Sequence, residues 1–175
     1  FIDRLAKKMP ANVTVVADVG QNQIWTCTEY KFRKEGRLLT SGGMGTMGYS
    51  VPAAIGAKMA DDSRATVAIC GDGAFQMSFM ELATAVQFGV DIKVVVMTNN
   101  RLGMVRELQT NGYHDRQTAV FLDGSPDFIK LAEAYGIPAM RVYDDDTMEK
   151  GIEMLAEHKG ICLVEVVVDK DMPTL

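Results

Sequence analysis

Cysteine is scarce in this sequence. Cys27, Cys70 and Cys162 are odd in number, lie far apart and show no CxxC spacing. A disulfide framework and a thiolate zinc site are therefore not expected, and a reducing, cytoplasmic compartment is. Basic tracts are missing too. With 18 Lys and Arg against 23 Asp and Glu, the formal net charge is −5 and no run of cations could follow a phosphate backbone. Nucleic acid is therefore not an expected partner. No apolar run approaches the roughly 18 residues of a membrane span, and the opening FIDRLAKKMP lacks a signal peptide's apolar stretch, so no membrane partner is expected. Internal repeats, low-complexity segments and linkers are also lacking. The chain opens on Phe1 and closes on DMPTL, an ending that reads as truncated, which suggests a carboxy-terminal piece of a longer polypeptide.

What is present is ordinary globular composition, 47% hydrophobic and 23% charged. A length of 175 residues suits one domain, 1–175, with a core that needs neither disulfides nor metal. Short β-branched runs alternate with longer helical patterns, which predicts an α/β fold: three layers, α/β/α, around a mainly parallel sheet of about six strands. Strands are expected over Val13–Asp18, Arg37–Thr40, Ala65–Cys70, Ile92–Thr98, Ala139–Val142 and Cys162–Val168. Helices are expected over Ile2–Met9, Asn22–Tyr30, Tyr49–Met59, Met77–Phe88, Gly103–Leu108, Asp127–Ala134 and Thr147–His158. Ser125 before Pro126 reads as one N-cap and Asp146 as another. Thr110 to Gly124 reads as an exposed loop.

The most informative stretch begins with the strand ending at Cys70 and continues through Gly71, Asp72 and Gly73. A carboxylate thus stands at the carboxyl end of a buried strand, where open parallel sheets bind ligands and where a following helix offers unpaired N–H groups to an anion. The next strand delivers Asn99 and Asn100 to the same edge. One Asp, one Asn and one main-chain carbonyl are a donor set that suits Mg²⁺, which takes few protein carboxylates and fills its shell with carbonyl, water and phosphate oxygens.

GDGAFQMSFMELATAVQFGVDIKVVVMTNN resembles the signature of thiamine-diphosphate enzymes, and the chain as a whole resembles the carboxy-terminal domain of acetohydroxyacid (acetolactate) synthases. In those synthases the second residue of the Asn pair coordinates the metal and the residue two further on adds its carbonyl. Aligning on GDG and on Leu102, Gly103, Met104 and Val105 puts Thr98 first and Asn99 second. The implied metal ligands are then Asp72, Asn99 and the Arg101 carbonyl, with Asn100 and Leu102 as the alternative if the loop shifts by one residue. The resemblance also implies cofactor contacts from Gly71, Gly73 and Ala74, and from Leu102, Gly103, Met104 and Val105.

Two further segments carry the likeness. ADVGQNQIW resembles DVGQHQMW, which implies that Gly20 leads into Gln21 and Asn22 as donors to diphosphate oxygens. TSGGMGTMGYSVPAAIGAK resembles TSGGLGTMG-PAAIGA nearly residue for residue. It implies that the Gly45 carbonyl accepts from the cofactor's 4′-amino group and that Met47 wedges beneath the bond joining its two rings. The bend brings the imino nitrogen to the acidic thiazolium carbon, so proton transfer there becomes intramolecular. Gly43, Gly45 and Gly48 also satisfy GxGxxG, but the preceding strand is short and Ser63 stands where a ribose-binding acid belongs, so a dinucleotide domain is only an alternative. A non-catalytic binding module and the metal-binding half of another thiamine-diphosphate-dependent 2-oxo-acid decarboxylase are the others.

The resemblance implies an enzyme that acts on pyruvate and a second 2-oxo acid, a homo-oligomer with a possible regulatory small subunit. It further implies thiamine diphosphate and Mg²⁺ at this domain, and FAD on a middle domain where present. No catalytic side chain is expected in this chain, because the activating Glu belongs to an amino-terminal domain of a neighbouring subunit. His114 and His158 have no partner at ligand spacing, and Asp144 to Asp146 reads as a solvated turn.

Overall fold

The structure, a computed structural model, describes residues 1–174; Leu175, the last residue of the DMPTL ending, lies outside the described residues. Six strands form one sheet: β1 (Thr14–Ala17), β2 (Arg37–Thr40), β3 (Thr66–Gly71), β4 (Lys93–Thr98), β5 (Ala139–Val142) and β6 (Cys162–Val167). Their order is β2-β1-β3-β4-β6-β5 and every pairing is parallel. The expected α/β/α architecture is therefore the one observed.

Central strands of a sheet covered on both faces need apolar residues at every position, not at alternate ones. Val67 to Cys70 of β3 and Val94 to Met97 of β4 meet that need, with Thr66, Lys93 and Thr98 only at the strand ends. Ala68, Cys70, Val94 and Val96 pack on one side against α3 (Ser50–Ala60), α4 (Asp72–Gln76), α5 (Leu82–Gln87) and α7 (Phe128–Ala134). Val67, Ile69, Val95 and Met97 pack on the other, against α1 (Ile2–Lys8), α2 (Gln21–Glu29) and α8 (Asp145–Glu157). No helix among the described residues is long and apolar enough to cross a membrane.

The chain leaves β1 toward β2 on one side and returns to β3 on the other. The strand order thus reverses between β1 and β3, where the carboxyl ends diverge into a crevice. Residues following β1, β3 and β4 share that edge.

Several local expectations need correction. The helix read as Met77–Phe88 starts earlier and is broken: α4 begins at Asp72, a 3-10 turn covers Phe79–Glu81, and α5 ends at Gln87. The reason is Phe75, fully buried edge-on to Phe128 with ring centroids 5.3 Å apart, which commits α4 to the core before Ser78 leaves helical geometry at φ −144°. Helix α2 starts at Gln21, not Asn22. Helix α6 (Gly103–Gly112) runs past Leu108 through polar residues with no apolar period, so the loop after it is shorter than Thr110 to Gly124.

The caps also move. Asp127, not Ser125, caps α7 by accepting from Ile129 and Lys130 N–H, while the Ser125 hydroxyl donates to the Leu122 carbonyl. Asp144, not Asp146, caps α8 in a reciprocal box with Thr147: the Thr147 N–H donates to Asp144 Oδ1 at 2.8 Å, and the Asp144 N–H to Thr147 Oγ1 at 3.1 Å. Asp145 and Asp146 sit in the first turn, where the helix dipole favours negative charge. Asp144→Ala is expected to lower the urea midpoint clearly more than Asp146→Ala does, because only Asp144 accepts from an N–H of the first turn; equal losses would contradict the reassigned cap.

Candidate functional site

At the crevice a narrow cavity of about 100 Å³ is lined by Val19 to Asn22, Gly71 to Ala74 and Arg101 to Val105, with Trp25, Met47, Met97 and Asn99 completing the wall. The structure thus gathers Gly20, Gln21, Asn22, Met47, Gly71, Asp72, Gly73, Ala74, Asn99, Arg101, Leu102, Gly103, Met104 and Val105 around one space. Gly45 lies outside this lining.

Asp72 is 2% exposed and receives three backbone N–H bonds. Gly73 N–H donates to Oδ1 at 2.8 Å; Asn99 and Asn100 N–H donate to Oδ2 at 3.2 and 2.6 Å. The tips of β3 and β4 are therefore held together by this carboxylate. It is no peripheral acid. Burial pushes its pKa above the usual carboxylate range, and the N–H bonds from Gly73, Asn100 and Asn99 work against that rise without cancelling it. Three of its about four lone-pair positions are used, which leaves acceptor capacity for a cation.

Asn99 bridges the site. Its Nδ2 donates to Gln21 Oε1 at 3.0 Å, and its Oδ1 accepts from Arg101 N–H at 3.0 Å with a lone pair to spare. Asn100 takes the left-handed conformation, φ 55°, is exposed, and lines a neighbouring cleft instead. Among the described residues no three His, Cys, Asp or Glu side chains cluster as a metal site. One carboxylate, one amide oxygen and one main-chain carbonyl are all-oxygen donors that fit Mg²⁺ only if phosphate or water completes the shell.

The starts of α2 and α6, together with the first turn of α4, face the same cavity, and unpaired helix-start N–H groups favour an anion there. Two glycines permit this convergence. Gly20 opens α2 at φ 135°, which side chains rarely adopt, and a Cβ on Gly103 would lie 1.8 Å from Gln21 Oε1 and 3.1 Å from Asn99 Nδ2. The side-chain donors of α2 are already engaged. Gln21 Nε2 donates to the Met172 carbonyl at 3.0 Å and Thr174 Oγ1 at 3.2 Å, and Asn22 Nδ2 to the Asp18 and Ile69 carbonyls at 2.8 and 3.3 Å.

The GxGxxG loop does not offer a phosphate site. The first N–H of α3, on Ser50, is taken by Asp18 Oδ2 at 2.7 Å, so a carboxylate already sits where a dinucleotide's pyrophosphate would bind. Asp18 was read in the sequence only as the end of a strand; like Asp72, it accepts from the N–H of the residue that follows it. Trp25 was also missed; its indole N–H donates to the Pro173 carbonyl at 3.1 Å. Glu107 accepts the Thr174 N–H at 2.6 Å, so the last described residues lie between α2 and α6.

Gly103→Ala would drive a methyl into Gln21 and break its bond to Asn99. The expected cost is about 1–3 kcal/mol by chemical denaturation; a variant as stable as the wild type would contradict the close approach.

Comparison with known proteins agrees with this geometry. The family described as "Thiamine pyrophosphate enzyme, C-terminal TPP binding domain" matches residues 18–166. The chain is 42% identical over 161 residues to the mitochondrial acetolactate synthase catalytic subunit of Aspergillus candidus, covering 92% of this chain and 23% of that protein. It is 42% identical over 156 residues to the acetolactate synthase large subunit of Lactococcus lactis, with 89% and 27% covered. It is 35% identical over 170 residues to the acetolactate synthase isozyme 2 large subunit of Escherichia coli, with 97% and 31% covered. The chain spans less than a third of each of these relatives. With a parallel sheet whose strand tips meet at an anion-favouring crevice and a family match that runs from the end of β1 through β2, β3, β4, β5 and nearly all of β6, the chain belongs to the thiamine pyrophosphate enzymes and carries their C-terminal TPP-binding domain.

Proposed function

We propose that the polypeptide carrying this chain is a thiamine-diphosphate-dependent acetolactate synthase. It decarboxylates pyruvate and joins the remaining two-carbon unit to a second 2-oxo acid, giving acetolactate or acetohydroxybutyrate for branched-chain amino-acid biosynthesis. The relatives' names support this reading. So does the convergence of the Asp72 carboxylate with the Asn99 and Asn100 main chain, which carries the metal part of the argument.

In this reading Asp72, the Asn99 side-chain oxygen and the Arg101 carbonyl hold Mg²⁺. Asn99 is favoured over Asn100 because it lines the cavity with Asp72. The cation and the helix starts fix the diphosphate, and the cofactor, once bound, supplies the electron sink. Met47 lies above the cavity floor, its Cε 3.3 Å from where a Cβ on Gly73 would stand, and takes the wedge role beneath the bent cofactor. This chain anchors and bends; it provides no acid or nucleophile. The activating Glu, FAD where present, and the contacts of a homo-oligomer or a regulatory subunit fall to other parts of the enzyme. A reducing compartment, cytoplasmic or mitochondrial as in the Aspergillus relative's name, suits Cys27, Cys70 and Cys162, all of them free.

Calorimetric titration of the full-length enzyme with thiamine diphosphate and Mg²⁺ tests the site. Asp72→Asn, with its fold checked by circular dichroism, is expected to weaken Mg²⁺-dependent binding at least about 100-fold, in line with loss of a principal metal ligand; unchanged binding would refute the assignment. The same titration is expected to lose affinity on acidification. Asp72 holds a cation only when ionised, and its raised pKa moves that loss above the 3.8 of an ordinary aspartate; a transition at or below that value would count against the buried carboxylate as ligand. The isolated 175 residues are expected to show no appreciable synthase activity, so robust acetolactate production by them alone would overturn the division of labour.

A further inference from the structure

A second strand-tip carboxylate, Asp18 at the end of β1, is fully buried. Burying a carboxylate costs heavily unless its oxygens are satisfied, and here the backbone satisfies them. Oδ1 accepts from Val19 N–H at 2.9 Å and Gly48 N–H at 3.1 Å, and Oδ2 accepts from Ser50 N–H at 2.7 Å. Ser50 opens α3, and Tyr49 before it provides no side-chain cap. Asp18 therefore supplies from β1 the negative charge that a helix start favours.

The bonds to Gly48 and Ser50 pin the carboxy-terminal end of the loop that carries Gly45 and Met47. The first half of that loop is held within itself, by Gly45 N–H on the Ser41 carbonyl at 2.9 Å and Thr46 N–H on the Ser41 hydroxyl at 3.2 Å. The second half is tethered by Asp18. Gly48, at φ 86°, passes so close to α4 that a Cβ there would lie 3.0 Å from Met77 Cβ. The height of Met47 over Gly73 is thus set by the bond on the very next residue.

We propose that Asp18 is a positioning residue: its carboxylate fixes the Met47 loop at the depth that bends the cofactor, without touching cofactor or cation. This rests on the reading of the cavity as a thiamine-diphosphate site. Removing the carboxylate leaves Asp72, Asn99 and the starts of α2 and α6 in place while releasing Met47. Cofactor affinity and reactivity are therefore expected to separate.

The test uses the full-length enzyme and Asp18→Asn, in which an NH₂ group or a single oxygen must face N–H donors that now share two carboxylate oxygens. Three quantities are read: thiamine diphosphate affinity with Mg²⁺, exchange of the bound cofactor's thiazolium C2 proton for deuterium, and amide exchange at Gly48 and Ser50 without cofactor. The variant is expected to bind within about tenfold of wild type and to exchange the C2 proton about 100-fold more slowly, the scale of a misplacement near 1 Å. Its Gly48 and Ser50 amides are expected to lose the protection they have in the wild type. Wild-type C2 exchange in the variant, or Gly48 and Ser50 amides that in the wild type exchange as fast as those of Gly42 and Gly43, would overturn the role of Asp18 and leave the cofactor reading standing. A wild-type enzyme that binds no thiamine diphosphate would sink that reading and the proposal with it. Should Asp18→Asn not fold, Asp18→Glu keeps the charge but displaces the loop by a methylene. Slow C2 exchange is expected there too, and a wild-type rate would overturn the proposal.

Discussion

The buried carboxylate of Asp72 is the contact on which the site depends. Without an acceptor at the tip of β3, the part-buried N–H groups of Gly73, Asn99 and Asn100 would lose the partner they share. Each unsatisfied buried donor costs on the order of 1–3 kcal/mol. The carboxylate meets that need and, by bridging β3 to the end of β4, brings the Asn99 amide and the Arg101 main chain to the same cavity. It is also held in an environment that disfavours its own charge, since burial outweighs the three hydrogen bonds.

Asp18 performs the matching task one strand over. Each acid accepts from the N–H that follows it and from two N–H groups of a segment distant in sequence, β4's exit for one and the entry to α3 for the other. The same device thus ties a distant segment to the tip of each of two adjacent parallel strands. In the proposed reading a diphosphate would meet the helix starts, and Mg²⁺ would need phosphate or water oxygens, because Asp72, Asn99 and the Arg101 carbonyl cannot saturate a divalent cation alone.

The layered fold was legible because a parallel sheet writes itself as apolar runs with no alternation, and β2 and β5 match the sequence reading to the residue. The meeting of Asp72 and Asn99 at one crevice was legible because GDG and the Asn pair stand at strand ends, where topology brings neighbours together. What was not legible depends on distance. Asp144 and Asp146 are equally good caps in sequence, and only the register of α8 chooses between them. The start of α4 at Asp72 was hidden because Phe75 shows its commitment to the core only against Phe128. Asp18 was passed over for the same reason, its partners Gly48 and Ser50 lying two elements away.

The most direct test of the account is a crystal structure of the protein with thiamine diphosphate and Mg²⁺. The account predicts one octahedral cation at about 2.0–2.1 Å from an Asp72 carboxylate oxygen, Asn99 Oδ1 and the Arg101 carbonyl, with diphosphate oxygens or water completing the shell. A cation bound elsewhere, or one that leaves Asp72 uncoordinated and still bonded only to the main chain of residues 73, 99 and 100, would contradict it.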